Sequence, residues 1–315
     1  MINLLTYALV LLFLILVLSA TFTNIITKKI KRSIPKFGKT TVLQDAEIHW
    51  YEAGQGRPII MLHGLAGNLR NFTYSLTEQL DKDYRVIAID RAGCGWSKRS
   101  KHEIATLQGQ ARIISEFIEK EEIEKPLIVG HSLGGAIALA LALEHKDKIS
   151  GLALICPATQ IVDRIPDMFK FLNISSPLIR FFVAYTFSSL LGILTRKETF
   201  KAAFAPEAIC DDFSIKGGGD FALSSGAFIS TSEDLIFAQS SAPSLVGREK
   251  ELEVYTEVLF GEDDEILDAK LHGEKFCQLS GSKLTMLPGK GHMLPLTIPD
   301  QCADFIRGVI NKIVT

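Results

Sequence analysis

Apolar positions along the chain follow two different patterns. Between Leu4 and Leu18 only Thr6 and Tyr7 interrupt the hydrophobic run, and no charged side chain appears before Lys28. About 20 helical residues rising 1.5 Å each cross a 30 Å hydrocarbon layer, so this stretch predicts a transmembrane helix. From about residue 41 onward short apolar runs alternate with amphipathic ones. Glu47–Tyr51, Ile59–Leu62, Val86–Ile89, Leu127–Val129, Leu152–Ile155, Glu257–Phe260 and Leu284–Leu287 predict strands. Between them, Ile104–Glu121 predicts a helix because Leu107, Ala111, Ile114 and Ile118 share one face. Leu133–Glu144 and Gln301–Ile313 read as two more. Such alternation predicts an α/β domain with a mostly parallel central sheet and helices on both faces.

One interval breaks the rhythm. Residues 157–253 far exceed the usual αβ connection of about 2–6 residues, which predicts a helical cap inserted before the strand near residue 257. The cap opens on apolar helical material, from Met168 to Phe182 and then Val183–Leu194, most of which should pack the cap's own core. A second membrane span at Pro177–Leu194 is disfavoured by Arg180, Ser188 and Ser189. After Gly217-Gly218-Gly219 the Ser- and Gly-rich composition predicts turns and mobile connections.

The flanks of the N-terminal apolar run favour an anchor over a cleaved signal. Met1-Ile2-Asn3 carries no side-chain charge and Leu18-Ser19-Ala20 is a poor cleavage site. Lys28, Lys29, Lys31, Arg32 and Lys36 follow the run, so the positive-inside rule places that end, and the domain beyond it, in the cytoplasm. The expected organisation is an anchor at 1–27, a basic linker at 28–40 that can touch anionic lipid, and a single domain at 41–315. A net charge of -2 gives no support for nucleic-acid binding. Five scattered cysteines without metal or redox spacing favour a reducing compartment, and no structural disulfide is expected.

Chemistry concentrates at Gly130-His131-Ser132-Leu133-Gly134. A serine that attacks a carbonyl sits on a sharp strand-to-helix turn, where flanking side chains would collide, and glycines at 130 and 134 remove the collision. The following helix is rich in Gly and Ala, which lets it pack closely on the sheet and aim its N-terminal amides at the reacting oxygen.

A nucleophilic serine needs a base, then an acid to orient it, in the chain order Ser, Asp or Glu, His. Only His272 and His292 lie far enough along. His272 falls in a stretch with helical apolar spacing, Leu267–Gln278, and reads as a solvated helix histidine; His292 stands in the loop Pro288–Pro295 and is favoured as the base. The acid should follow the strand Glu257–Phe260, in Gly261-Glu262-Asp263-Asp264; Asp264 is the choice and Asp263 the reserve. An oxyanion hole needs two amides. Leu133, after the serine, and Leu65, in the loop after Ile59–Leu62, are the candidates, while His63 is given no proton-transfer role.

With these pieces in order the chain resembles the α/β-hydrolase superfamily. The resemblance is carried by His63-Gly64, Asp90-Arg91-Ala92-Gly93-Cys94-Gly95-Trp96-Ser97, Gly130–Gly135, Gly261–Asp264 and Gly291-His292, over residues 45–313. It implies the α/β-hydrolase fold, a structural rather than catalytic role for Asp90 and Arg91, and an acid three residues after the strand-ending glycine, at Asp264. It also implies an acyl-enzyme mechanism through Ser132 with no metal or organic cofactor. Anchor, apolar cap and triad together suggest a hydrophobic, lipid-derived ester such as a monoacylglycerol, with membrane lipid as neighbour. Carbon–carbon hydrolysis of vinylogous diketones, perhydrolysis and ligand reception without turnover are the alternatives on the same scaffold.

Overall fold

The computed structural model describes residues 4–161 and 165–314. Among the described residues nine strands form one sheet: β1 Lys39–Val42, β2 Ala46–Ala53, β3 Pro58–Leu62, β4 Arg85–Ile89, β5 Lys98–Arg99, β6 Leu127–His131, β7 Gly151–Ile155, β8 Tyr255–Gly261 and β9 Lys283–Leu287. Their order is β1-β2-β4-β3-β6-β7-β8-β9, with β5 added beside β2. From β4 to β9 every pairing is parallel, whereas β2 runs antiparallel to β1, β4 and β5. The central strands β6 and β7 are buried along their whole length, as their continuous apolar runs require.

In chain order the helices are α1 Leu4–Ser33, α2 Arg70–Thr73, α3 Leu76–Leu80, α4 Leu107–Lys120, α5 Leu133–Glu144, α6 Pro177–Thr186, α7 Ser188–Phe204, α8 Ser225–Ser241, α9 Phe276–Ser280, α10 Leu294–Thr297 and α11 Pro299–Val314. All seven expected strands are present. Short β1 and β5, at the antiparallel edge, lack the apolar run that would mark them. The helix expected at Ile104–Glu121 is divided: a 3-10 turn, His102–Ala105, precedes α4, and Thr106 caps α4 by accepting the N–H of Gly109 at 3.0 Å.

α1 is longer than the apolar run. It continues through Lys28, Lys29, Lys31 and Arg32, so most of the basic residues expected in a linker occupy its last turns. By length and composition α1 can cross a membrane; among the described residues no other single helix can. α6 and α7 pass the same test jointly but are bent by 77°. The C-terminal half of α1 docks on the cap: Ser19 and Thr23 both donate to the carbonyl of Thr186, and Ile30 and Ile34 pack with Phe221 and Leu223.

The inserted cap lies between β7 and β8 and carries α6, α7 and α8. The carbonyls of Gly217 and Gly218 accept from Asn71 and Asn68, and Gly218 adopts φ +76° where a Cβ would lie 2.4 Å from Asn68 Oδ1. One expectation for the cap is corrected. The Ser-rich stretch that follows is not turns but helix α8. Its buried face is polar, with Thr231, Ser232, Glu233 and Asp234, so no apolar periodicity announces it.

Candidate active site

Ser132 sits where β6 turns into α5. Its φ of 54° and ψ of -121° lie in a region that side chains rarely adopt, the strain of a sharp strand-to-helix turn. The flanking glycines are sterically required. A Cβ on Gly134 would meet the Leu62 carbonyl oxygen at 2.0 Å, and one on Gly130 the Gly134 oxygen at 2.7 Å. The segment after β3 closes over the serine, because a Cβ on Gly64 would lie 2.8 Å from Ser132 Cβ and 3.2 Å from its Oγ. Among the described residues neither the N–H of Leu65 nor that of Leu133 is bound to a protein acceptor.

His292 lies between β9 and α10. Its Nδ1 is 2.6 Å from Asp264 Oδ2, and Asp264 Oδ1 accepts the N–H groups of Ile266 and Leu267 at 2.8 and 2.9 Å. Burial alone would raise this carboxyl; His292 and the two amides outweigh it and hold Asp264 below the ordinary carboxylate value. Asp263, the reserve, makes no hydrogen bond or ion pair with His292 among the described residues, and its backbone N–H donates to the Lys290 carbonyl. Glycine at 291 lets the His292 loop rest on the cap, since a Cβ there would meet the Ala205 oxygen at 2.0 Å. Ser132 and His292 line one cavity of about 230 Å³ together with Leu65 and Leu133. Among the described residues no hydrogen bond joins Ser132 Oγ to His292, an open arrangement compatible with a contact that tightens on substrate binding.

Three neighbours surround the site; the structural role expected for Arg91 now has its partners, and the contacts of His131 and Cys156 were missed in the sequence. Arg91 is fully buried and donates to the carbonyls of His63 and Gly64 at 2.9 and 3.0 Å, which fixes the loop bearing Leu65. His131 packs against His292 with ring centroids 4.9 Å apart and donates to the His292 carbonyl at 3.0 Å. Cys156, in the left-handed region at φ 42°, contacts the Gly291 carbonyl. Cys156 Sγ, Asp264 and His292 offer ligand atoms within 4.8 Å of one another. Burial pushes the thiol well above its ordinary range, and a protonated thiol is a poor metal ligand. The signal for Arg91 lay in a charged residue next to a strand end, but nothing local named its partners.

His63 accepts the Arg91 N–H at Nε2 and donates from Nδ1 to the Gly64 carbonyl; burial first, then Arg91, holds it down to about 3. Asp90 accepts from Leu69, Trp96 and His49 and lies on the structural side of the loop. His272 departs from expectation: it is 1% exposed rather than solvated, and lies in a π-helical turn, Lys270–Lys275.

Comparison with known proteins bears on the fold that carries this site. Residues 57–190 match the protein-family model described as alpha/beta hydrolase fold. The 2-hydroxy-6-oxo-6-phenylhexa-2,4-dienoate hydrolase of Comamonas testosteroni is 33% identical over 132 residues, covering 39% of this chain and 44% of that protein. The chain thus spans less than half the length of that relative. Monoacylglycerol lipase ABHD6 of Bos taurus is 23% identical and aligns over 81% of this chain and 78% of its own. A solved thermophilic esterase of Thermogutta terrifontis shares the fold with a TM-score of 0.66 at 19% identity, covering 88% of this chain and all of its own. The chain therefore carries an alpha/beta-hydrolase fold domain, homologous to known hydrolases, with an inserted helical cap.

Proposed function

We propose that this chain is a membrane-anchored serine hydrolase in which Ser132 attacks a carbonyl carbon, His292 moves the proton and Asp264 orients the imidazole. The supporting observation is the convergence on one cavity of a strained serine, an imidazole held at 2.6 Å by a buried carboxylate, and the unpaired amides of Leu65 and Leu133. His292 takes the Ser132 proton as Oγ bonds to carbon, and the two amides stabilise the oxyanion. The imidazolium, stabilised by Asp264, then protonates the departing group. Water, deprotonated by the same imidazole, cleaves the acyl-enzyme and restores Ser132.

The cavity wall argues for the substrate class. Its lining includes Ile165, Met168, Phe169, Phe200, Phe213 and Leu235, and holds no Lys, Arg, Asp or Glu among the described residues. A neutral hydrophobic acyl group suits it, and a lipid-derived or monoacylglycerol-like ester is the first reading. By identity the comparisons weigh more on carbon–carbon hydrolysis, the second reading, since the relative at 33% is a dienoate hydrolase. Against that reading, the wall offers Asn68, Asn71 and Gln239 but, among the described residues, no cation for a dienoate carboxylate.

α1 anchors the protein in this proposal, with its basic end and the catalytic domain on the cytoplasmic side. The cap extends the apolar surface beside it, with Leu178, Phe181 and Leu194 exposed on α6 and α7. Membrane lipid is the neighbour this face suits.

Full-length protein in detergent, offered p-nitrophenyl esters of graded chain length and a ring-cleavage dienoate, separates the readings. Turnover of medium or long esters, lost in Ser132→Ala, is expected. Dienoate cleavage with all esters inert selects the second reading, and turnover that survives Ser132→Ala contradicts both.

A further inference from the structure

Beside the reaction cavity lies a second one of about 150 Å³, and Leu133, Ala158, Ala238, Gln239 and Leu267 form a wall common to both. Ser132 and His292 line only the first, whereas His272 lines only the second. His272 Nδ1 accepts two backbone donors, Thr159 N–H at 3.0 Å and Gln160 N–H at 3.2 Å. A ring nitrogen that accepts carries no proton, so the neutral ring must carry it on Nε2. Burial first of all holds this imidazole down to about 4, and the ring is neutral at physiological pH.

The donor so created has a fixed direction. Thr159 Oγ1 also donates to the His272 carbonyl at 2.8 Å, tying the residue to the start of the cap connection. Among the described residues Nε2 itself is buried without a hydrogen-bond partner. Buried polar groups are nearly always paired, so an unpaired donor on a cavity wall marks a place for an acceptor. The π-helical turn that carries it, a rare geometry, is frequent at functional sites.

We propose that the second cavity is a substrate compartment in which His272 Nε2–H donates a hydrogen bond to an oxygen of the bound substrate. The substrate class that follows is a neutral carbonyl compound with two arms. One arm is apolar and fills the first cavity; the other carries an ether, carbonyl or hydroxyl oxygen at a distance from the reacting carbon and passes Leu133 and Ala158 into the second. This rests on Ser132-dependent hydrolysis as proposed above, to which it adds a specificity-determining residue.

Matched ester pairs test it with the full chain in detergent micelles. In each pair one methylene is replaced by an ether oxygen, in the acyl arm for one series and in the alcohol arm for the other. The wild type should prefer the oxygen analogue by about 10-fold in kcat/KM in one series. His272→Leu should bring that ratio to about 1, and His272→Gln, which keeps a donor, should restore part of it. Because the ratio is taken within each variant, loss of folded protein cancels. A wild-type ratio near 1 in both series, or a preference that survives His272→Leu, overturns the compartment while leaving Ser132 chemistry intact. Absence of Ser132-dependent turnover overturns both.

Discussion

The sheet domain and the cap bury opposite kinds of surface. Around the sheet, Ile59, Ile60, Ile87, Ile128 and Leu154 are fully enclosed, and the buried polar groups of the site gather at strand ends. In the cap, α8 turns Ser232, Glu233 and Asp234 inward and α6 turns Leu178 and Phe181 outward. Asp234 bridges Arg91 and Arg99 at 2.8 and 2.5 Å, and Glu233 bridges Arg99 and Arg180 at 2.8 and 3.0 Å. The same Arg91 clamps the loop carrying Leu65. A buried ion-pair joint thus fixes the cap to the loop carrying Leu65, and the chain binds the two regions by directional charge contacts where the core relies on apolar contact. Such joints favour one docking geometry more than they add stability, because desolvation offsets much of the attraction.

This contrast can be broken from either side. The largest effect is expected at the chemistry, where His292→Ala should lower kcat by about 10³-fold or more while thermal unfolding shifts little; a loss under tenfold contradicts its role as base. Next comes the joint. Asp234→Ala leaves two guanidinium groups buried without their shared carboxylate and should cost about 3–5 kcal/mol in chemical denaturation, whereas an exposed pair such as Lys98–Glu47 should contribute under about 1 kcal/mol.

Acid should reveal the buried histidines. His63 and His131 are held down to about 3 and His272 to about 4, chiefly by burial, against 6.5 in the unfolded chain. Their folded values lie below the unfolded one, so the unfolded chain takes up protons first as pH falls. Their contribution is complete above pH 6.5 and declines on the way to pH 3–4. Between pH 7 and 5 each should withdraw about 2 kcal/mol, and His63→Gln should flatten the slope measured by denaturant titration. The smallest effect belongs to the outer cap: Leu178→Lys should change stability in detergent by less than about 0.5 kcal/mol. A spin label at 178 in vesicles should nevertheless be relaxed by lipid-dissolved oxygen and not by a water-soluble nickel chelate.

What the sequence revealed follows the same division. Strands and helices of the sheet domain were legible because each obeys a local rule, such as the apolar run of Leu127–Val129 or the shared face of Leu107 and Ile114. Ser132, Asp264 and His292 could be singled out as candidates because strand ends and glycines fix where side chains of that kind can be presented; the structure places Ser132 and His292 on one cavity and Asp264 behind His292, at 2.6 Å from its Nδ1. The cap was legible as an insertion, but its helix α8 was not, since α8 hides its polar face against Arg91 and Arg99, partners more than 130 residues away. His272 misled for a related reason: its helical spacing says nothing of the two amides, from Thr159 and Gln160, that enclose it.

The central claim is that Ser132 is the nucleophile, and covalent labelling tests it most directly. Incubated with an alkyl fluorophosphonate and examined by intact mass, the full-length protein should gain one phosphonyl group, mapped to the peptide containing Ser132, with Ser132→Ala unlabelled and His292→Ala labelled far more slowly. Labelling of Ser132→Ala at the wild-type rate, or a wild type that stays unmodified while folded, would contradict the account.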